Sequence, residues 1–199
     1  MKLVTYRLDQ NEARLGVLKD SLLIDVQQFG VRMNLDLSSS MQDFIELGPI
    51  AVETLDTALD ESVAKDLVGI SVPFENAKIL APIPRPKKNI FGIGLNYKDH
   101  IGEASKALDT PSGLPKEPVI FSKFPTAVIG NHDPICHNQE ITKQLDWEAE
   151  LAVIIGTKCD RVHKKNALDH VFGYTVINDI SARDCRRAGQ WVVSKSQYS

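Results

Sequence analysis

The chain has 199 residues, 43% hydrophobic and 25% charged, and carries a net charge of −3. That is enough chain, and enough apolar surface, to bury a real core in one or two domains. The near-balance of charge gives no reason to expect nucleic acid or an anionic membrane as a partner. Its three cysteines, Cys136, Cys159 and Cys185, are odd in number and lack zinc-type spacing, which argues against a disulfide framework. The opening MKLVTYRLDQ interrupts its apolar run with charge, unlike a signal peptide, and no stretch approaches transmembrane length. A reduced, intracellular location is expected, cytoplasmic by default or mitochondrial in a eukaryote.

Residues 2–7 read as a strand, and GVLKDSLLIDV (16–26) as a hairpin turning near Lys19 and Asp20. Ser38, Ser39 and Ser40 offer caps to a helix over Met41–Leu47, which Gly48 can stop. From Ile50 to Leu67, Ala51, Leu55, Ala58 and Leu59 recur at helical spacing and predict an amphipathic helix. These elements make a small α+β domain over residues 1–80. The segment APIPRPKK (81–88) alternates Pro82, Pro84 and Pro86, so it is an extended connector and the expected domain boundary. Beyond it come a strand over 89–93, a polar loop over 102–118, and strands near 119–121, 150–155 and 171–177. The second domain, 81–199, is therefore mainly β, and the fold class is α+β.

The chemistry centres on LDWEAELAVIIG (145–156). A strand alternates its faces, so Glu148, Glu150, Ala152 and Ile154 point one way. Two carboxylates side by side repel, and an apolar neighbourhood makes each ionised form costlier. A hard divalent cation between them relieves this. Two solvated acids at an exposed strand end are the plain alternative. Asp179 follows the strand near 171–177 and could complete a facial set of three carboxylates, or simply accept backbone N–H bonds in a turn.

His100 and Glu103 lie three apart in YKDHIGEA, on one face if helical, where the carboxylate can orient the imidazole as a general base. An incidental surface pair has the same spacing. Arg183 and Asp184 could form a structural ion pair. Lys195, after the apolar Trp191–Val193, could neutralise an oxyanion or extend to the surface. Gly92-Ile93-Gly94 follows a strand, but Tyr97 stands where a third glycine would complete a dinucleotide fingerprint, so that reading is rejected. The glycines serve instead a tight turn or a close approach to a ligand. Cys185 reads as a small structural residue, and His132 with His137 as a weak metal pair.

Five stretches together resemble the fumarylacetoacetate hydrolase family: GIGLNYKDHIGEA (92–104), KEPVIFSKFPTAVIG (116–130), LDWEAELAVIIG (145–156), GYTVINDISARD (173–184) and GQWVVSKS (189–196). The likeness spans about residues 81–199 and is nearest to members of the domain-containing-protein-2 type. It implies a catalytic domain of mixed β-sandwich or β-roll form, usually a homodimer, that binds Mg²⁺ or Mn²⁺. By position, it implies Glu148, Glu150 and Asp179 as metal ligands, with His100 and Glu103 as a dyad on a lid over about 98–117. Lys195 then stands near the metal, with Arg183, Asn96 and Tyr97 on the substrate side. Family substrates are small 2-oxo and 2,4-dioxo acids. The implied reaction is hydrolysis of a C–C bond in an acylpyruvate, through an enolate stabilised by the metal and Lys195.

Oxaloacetate decarboxylation, or keto–enol isomerisation of a 2-oxo acid, would use the same ligands. Two departures stand out. Cys185-Arg186 replaces the glutamine that commonly follows the RD pair, and Ser199 falls before the family's further strands and glycine-rich motif. The second raises a different expectation, that this stretch is catalytically inactive and acts as a binding partner or regulatory subunit.

Overall fold

The computed structural model of the chain describes residues 1–97 and 117–185. The described chain divides into two compact units. The first joins residues 1–84, 129–133 and 149–177, and the second the described residues of 85–128, 134–148 and 178–199.

In the first unit β1 (Leu3–Arg7), β2 (Arg14–Lys19) and β3 (Leu22–Asp25) form an antiparallel meander. Short strands β4 (Ser71–Pro73) and β5 (Lys78–Ile79) complete a sheet of order β4-β3-β2-β1-β5. The hairpin turns where expected, with Asp20 in the left-handed region at φ 54°. Helix α1 (Val26–Met33) starts without a break from β3 and was not foreseen. Its sequence VQQFGVRM has two β-branched residues and a glycine, so propensity alone argues against it. Asp25 caps it by accepting from the Gln28 N–H at 2.8 Å, and Asn34 ends it at φ 56°. Val26 and Phe29 are fully buried beneath it, so tertiary packing overrides the weak local preference.

Ser40 caps α2 (Met41–Glu46) as expected, its Oγ accepting from the Asp43 N–H at 3.1 Å. Helix α3 (Pro49–Glu61) is shorter than its apolar pattern predicts. The Ser62 hydroxyl turns back to the Leu59 carbonyl at 2.8 Å, and a separate 3-10 turn, Ala64–Leu67, follows. Phe29, Phe44, Leu15, Leu23, Ile24, Leu55 and Val26 are the fully buried side chains of this unit.

Strands β9 (Ala149–Ile155) and β10 (Val171–Asn178) pair with each other in the same unit. Ile154 and Phe172 pack on the core, Phe172 edge-on to Phe44 with ring centroids 6.3 Å apart. The opposite face leaves Leu151, Val153, Ile155, Tyr174 and Val176 exposed. Alternation of burial along β9 therefore holds, and beyond Glu150 both of its faces are apolar.

Asp25 is also the polar centre of this unit. It is 2% exposed, pairs with Arg14, and accepts from the Tyr6 hydroxyl at 2.8 Å. Burial pushes its carboxyl upward, but Arg14, the Gln28 N–H and Tyr6 outweigh that and hold it below the usual range. Burial, together with the Asp25 charge, pushes the Tyr6 phenol well above its ordinary value. A depressed folded-state value means the stabilisation is complete above the unfolded carboxyl's range and lost on acidification. Acid unfolding followed by circular dichroism is thus expected to begin as pH falls below about 4. The shift should shrink in Arg14→Met.

In the second unit β6 (Ile90–Gly94) pairs antiparallel with β7 (Val119–Lys123), setting Gly92 opposite Phe121. A Cβ at Gly92 would stand 2.2 Å from the Phe121 ring. The close approach that glycine permits here is to that ring. Strand β8 (Leu145–Asp146) pairs antiparallel with β11 (Ser181–Ala182), in register Ser181 to Asp146.

Candidate metal and substrate site

The β8–β11 ladder fixes where the acidic residues of the second unit emerge. Asp146 ends β8, Glu148 follows two residues later, and Asp179 precedes β11. The Asp179 N–H donates to the Glu148 carbonyl at 2.8 Å, and the Glu148 N–H donates to Asn178 Oδ1 at 3.1 Å. These bonds tie the two acidic segments together, one through the backbone alone and one through the Asn178 side chain. The Glu148 and Asp179 side chains are 16% and 11% exposed, so neither is a freely solvated acid.

Each of these carboxylates has its own cation. Arg183 contacts Glu148 Oε1 through Nη2, while its Nε donates to Asp146 Oδ2 at 2.8 Å. Its backbone N–H donates to the Gln144 carbonyl at 2.9 Å, which anchors the residue at the ladder's end. Partial burial disfavours the charged guanidinium, but Asp146 and Glu148 outweigh it and hold Arg183 more firmly cationic than in water. Lys123, at the end of β7, reaches Asp179 Oδ1 at 2.5 Å and the Ile180 carbonyl at 3.1 Å. Its ammonium lies 6.0 Å from the Phe121 ring centroid.

Arg183 and Asp184 do not pair with each other. Asp184 instead accepts from the Thr142 hydroxyl and the Lys143 N–H, which hold its carboxyl below the usual range. It clips the loop ahead of β8. Glu150 belongs to the first unit, where it opens the half-buried row Glu150, Ala152, Ile154 of β9. Asn96 and Tyr97 are exposed just after β6, beyond Leu95 in the left-handed region. His100, Glu103 and Lys195, with nearly all of the expected lid, lie outside the described residues. His137 Nε2 contacts the Thr142 carbonyl at 2.9 Å, a structural role in the same loop.

Among the described residues, no three His, Cys, Asp or Glu side chains gather as a metal-holding group. The donor chemistry nonetheless fits a hard divalent ion. Glu148 and Asp179 offer little-exposed carboxylate oxygens of the kind a hard cation prefers, each now paired with a cation that an ion would displace. Two contributors escaped the sequence reading. Asp146 extends the period-two row of Glu148 and Glu150 one step back, and Lys123 closes an apolar run much as Lys195 does.

The model of the fumarylacetoacetate (FAA) hydrolase C-terminal domain matches residues 89–198, more than half of the chain. The chain belongs to the fumarylacetoacetate hydrolase family. Among family relatives, oxaloacetate tautomerase YisK of Bacillus subtilis is 48% identical over 120 residues, 60% of this chain and 38% of that protein. The mitochondrial oxaloacetate tautomerase fahd2 of Xenopus laevis is 37% identical over 202 residues, 98% of this chain and 58% of its own length. Thus the chain spans well under two thirds of the curated relatives it matches.

Of solved family structures, the fumarylacetoacetate hydrolase of Exiguobacterium antarcticum aligns with a TM-score of 0.66 at 32% identity, covering 92% of this chain and 57% of that one. The maleylpyruvate hydrolase of Sphingobium sp. SYK-6, solved with manganese(II) and pyruvate, aligns at 0.65 and 21% identity, covering 92% and 60%. The second likeness is one of fold. The α+β, sheet-dominated architecture is that of the family. Among the described residues, no helix is long and apolar enough to cross a membrane.

Proposed function

We propose that the chain acts on small 2-oxo acids with a divalent ion, interconverting the keto and enol forms of an oxaloacetate-like substrate. The carrying observation is the pair of little-exposed carboxylates, Glu148 and Asp179, joined at the backbone and each set against a fixed cation. The names of the Bacillus and Xenopus relatives support the choice of reaction over the C–C hydrolysis that the motifs first suggest. Mg²⁺ or Mn²⁺ would be held by Glu148 and Asp179. When bound, it would supply a Lewis acid for the oxygen on which negative charge develops.

The chain's own residues do the rest. Arg183 and Lys195 bind and orient the acid's carboxylates, with Asn96 and Tyr97 as further substrate contacts. His100, oriented by Glu103, takes a proton from the carbon next to the carbonyl and returns it to the enol oxygen. No bond between carbons breaks, and the atoms balance within the substrate.

Hydrolysis of an acylpyruvate is the second reading, favoured by the 32%-identical fumarylacetoacetate hydrolase. Enol absorbance of oxaloacetate, followed with Mg²⁺ with and without the chain, separates the two. Faster interconversion without release of CO₂ supports tautomerisation. Loss of acetylpyruvate with release of acetate supports hydrolysis, and no acceleration of either defeats both. We place the protein inside the cell, where its cysteines stay reduced; those described are free.

The exposed row Leu151, Val153, Ile155, Tyr174 and Val176 also supports a homodimer, because a contiguous apolar face of this kind favours burial. Light scattering on a sizing column is expected to give twice the 22.1 kDa of one chain, and Val153→Glu to halve it. A single-chain mass for the wild type would contradict this.

A further inference from the structure

The first unit carries a cleft that no step of the proposed chemistry uses. Its volume is about 280 Å³, and Gln27, Gln28, Val31 and Arg32 of α1 line it together with Ile70. That size suits a small molecule rather than a folded partner. Ile70 is buried at the edge of the core and Val31 is 78% exposed, so both give the lining apolar surface.

Arg32 is the charged member of the lining, and its guanidinium is already fixed. Nη1 donates to the Asp66 carbonyl at 2.8 Å and to the Val68 carbonyl at 2.7 Å, which uses both of its hydrogens. An arginine has five N–H donors in one rigid plane. The other three, on Nε and Nη2, meet no partner among the described residues. Nε and Nη2 form one edge of the plane, where two parallel N–H groups match the two oxygens of a carboxylate. The carbonyl bonds hold that edge in place, so little side-chain freedom is lost when an anion binds. One cation beside apolar surface matches one carboxylate on a short aliphatic tail. A dicarboxylate of the kind proposed as substrate would set its second charge against Val31 and Ile70, where burial disfavours it.

We infer that this cleft binds short aliphatic monocarboxylic acids, with the carboxylate on the Nε–Nη2 edge of Arg32 and the tail along Val31 and Ile70. None of its residues enters the proposed metal and substrate site, so either reading can fail while the other stands.

Butyrate is the probe, titrated into the isotope-labelled whole chain and followed by amide NMR shifts, with butyramide as its uncharged match. Saturating shifts centred on residues 27–32 and 70 are expected with butyrate and none with butyramide. Arg32→Met is expected to weaken butyrate binding about tenfold or more, the scale of losing a hydrogen bond to a charged group. Val31→Glu sets a like charge in the lining at an exposed position, leaves the carbonyl bonds alone, and should weaken binding similarly. It keeps the test decisive if Arg32→Met does not fold, which circular dichroism checks. Shifts that never saturate, equal shifts with butyramide, or unchanged affinity in either folded variant would overturn the inference.

Discussion

Asp179→Asn is expected to cut oxo-acid turnover by at least about 100-fold, since losing even an indirect contact to a metal can cost that much. Position matters here as well as charge. Asp179 is tied to Glu148 through the backbone, so the two acidic segments are held side by side. Asparagine keeps the shape and one acceptor oxygen but loses the charge that a hard cation needs. It also strips Lys123, only 16% exposed, of its counterion. The same substitution is therefore expected to lower the melting temperature modestly, while far-UV circular dichroism stays that of a folded chain. Full activity in Asp179→Asn at saturating Mg²⁺ would remove the residue from the site.

Asp25→Ala is expected to produce the largest loss of stability, about 3–5 kcal/mol, the scale for breaking a buried ion pair on one side. The lost carboxylate serves Arg14, the Tyr6 hydroxyl and the Gln28 N–H at once. Alanine leaves the Arg14 charge uncompensated, the Tyr6 hydroxyl without its acceptor and α1 without its cap. Such a loss is a large share of the 5–15 kcal/mol that keeps an ordinary domain folded. Urea denaturation should show the midpoint falling with little change in slope. Asp25→Asn, which retains an acceptor for Tyr6 and the helix, is expected to lose less. A shift within experimental error for Asp25→Ala would mean that the cluster is peripheral to the unit's stability.

Residues whose local chemistry is self-contained were legible in the sequence. The Lys19–Asp20 turn, the Ser40 cap and the alternation along β9 each need only a few neighbouring residues to be recognised. Helix α1 was not, because its stability comes from burying Val26 and Phe29 against distant strands rather than from its own residues. The pairing of Gly92 with the Phe121 ring was equally hidden, since it depends on the register of β6 against β7.

The site divides in the same way. Carboxylates spaced two apart announce themselves, whereas their partners come from elsewhere in the chain. Lys123 meets Asp179 across 56 residues (179 less 123), and only the folded chain reveals that contact. Arg183 reads from the motifs as a substrate-side residue, yet its described partners are Asp146 and Glu148. Its proposed role toward a substrate is consistent with both, because Asp146 holds it through Nε while Nη2 is the end that meets Glu148.

The most direct measurement is Mn²⁺ binding by the wild-type chain beside the Glu148→Gln, Asp179→Asn double variant, with oxalate present. The wild type should remove one Mn²⁺ per chain from the free pool, and the double variant none. Equal uptake by both, or uptake by neither, would contradict a divalent-ion site built on these two carboxylates.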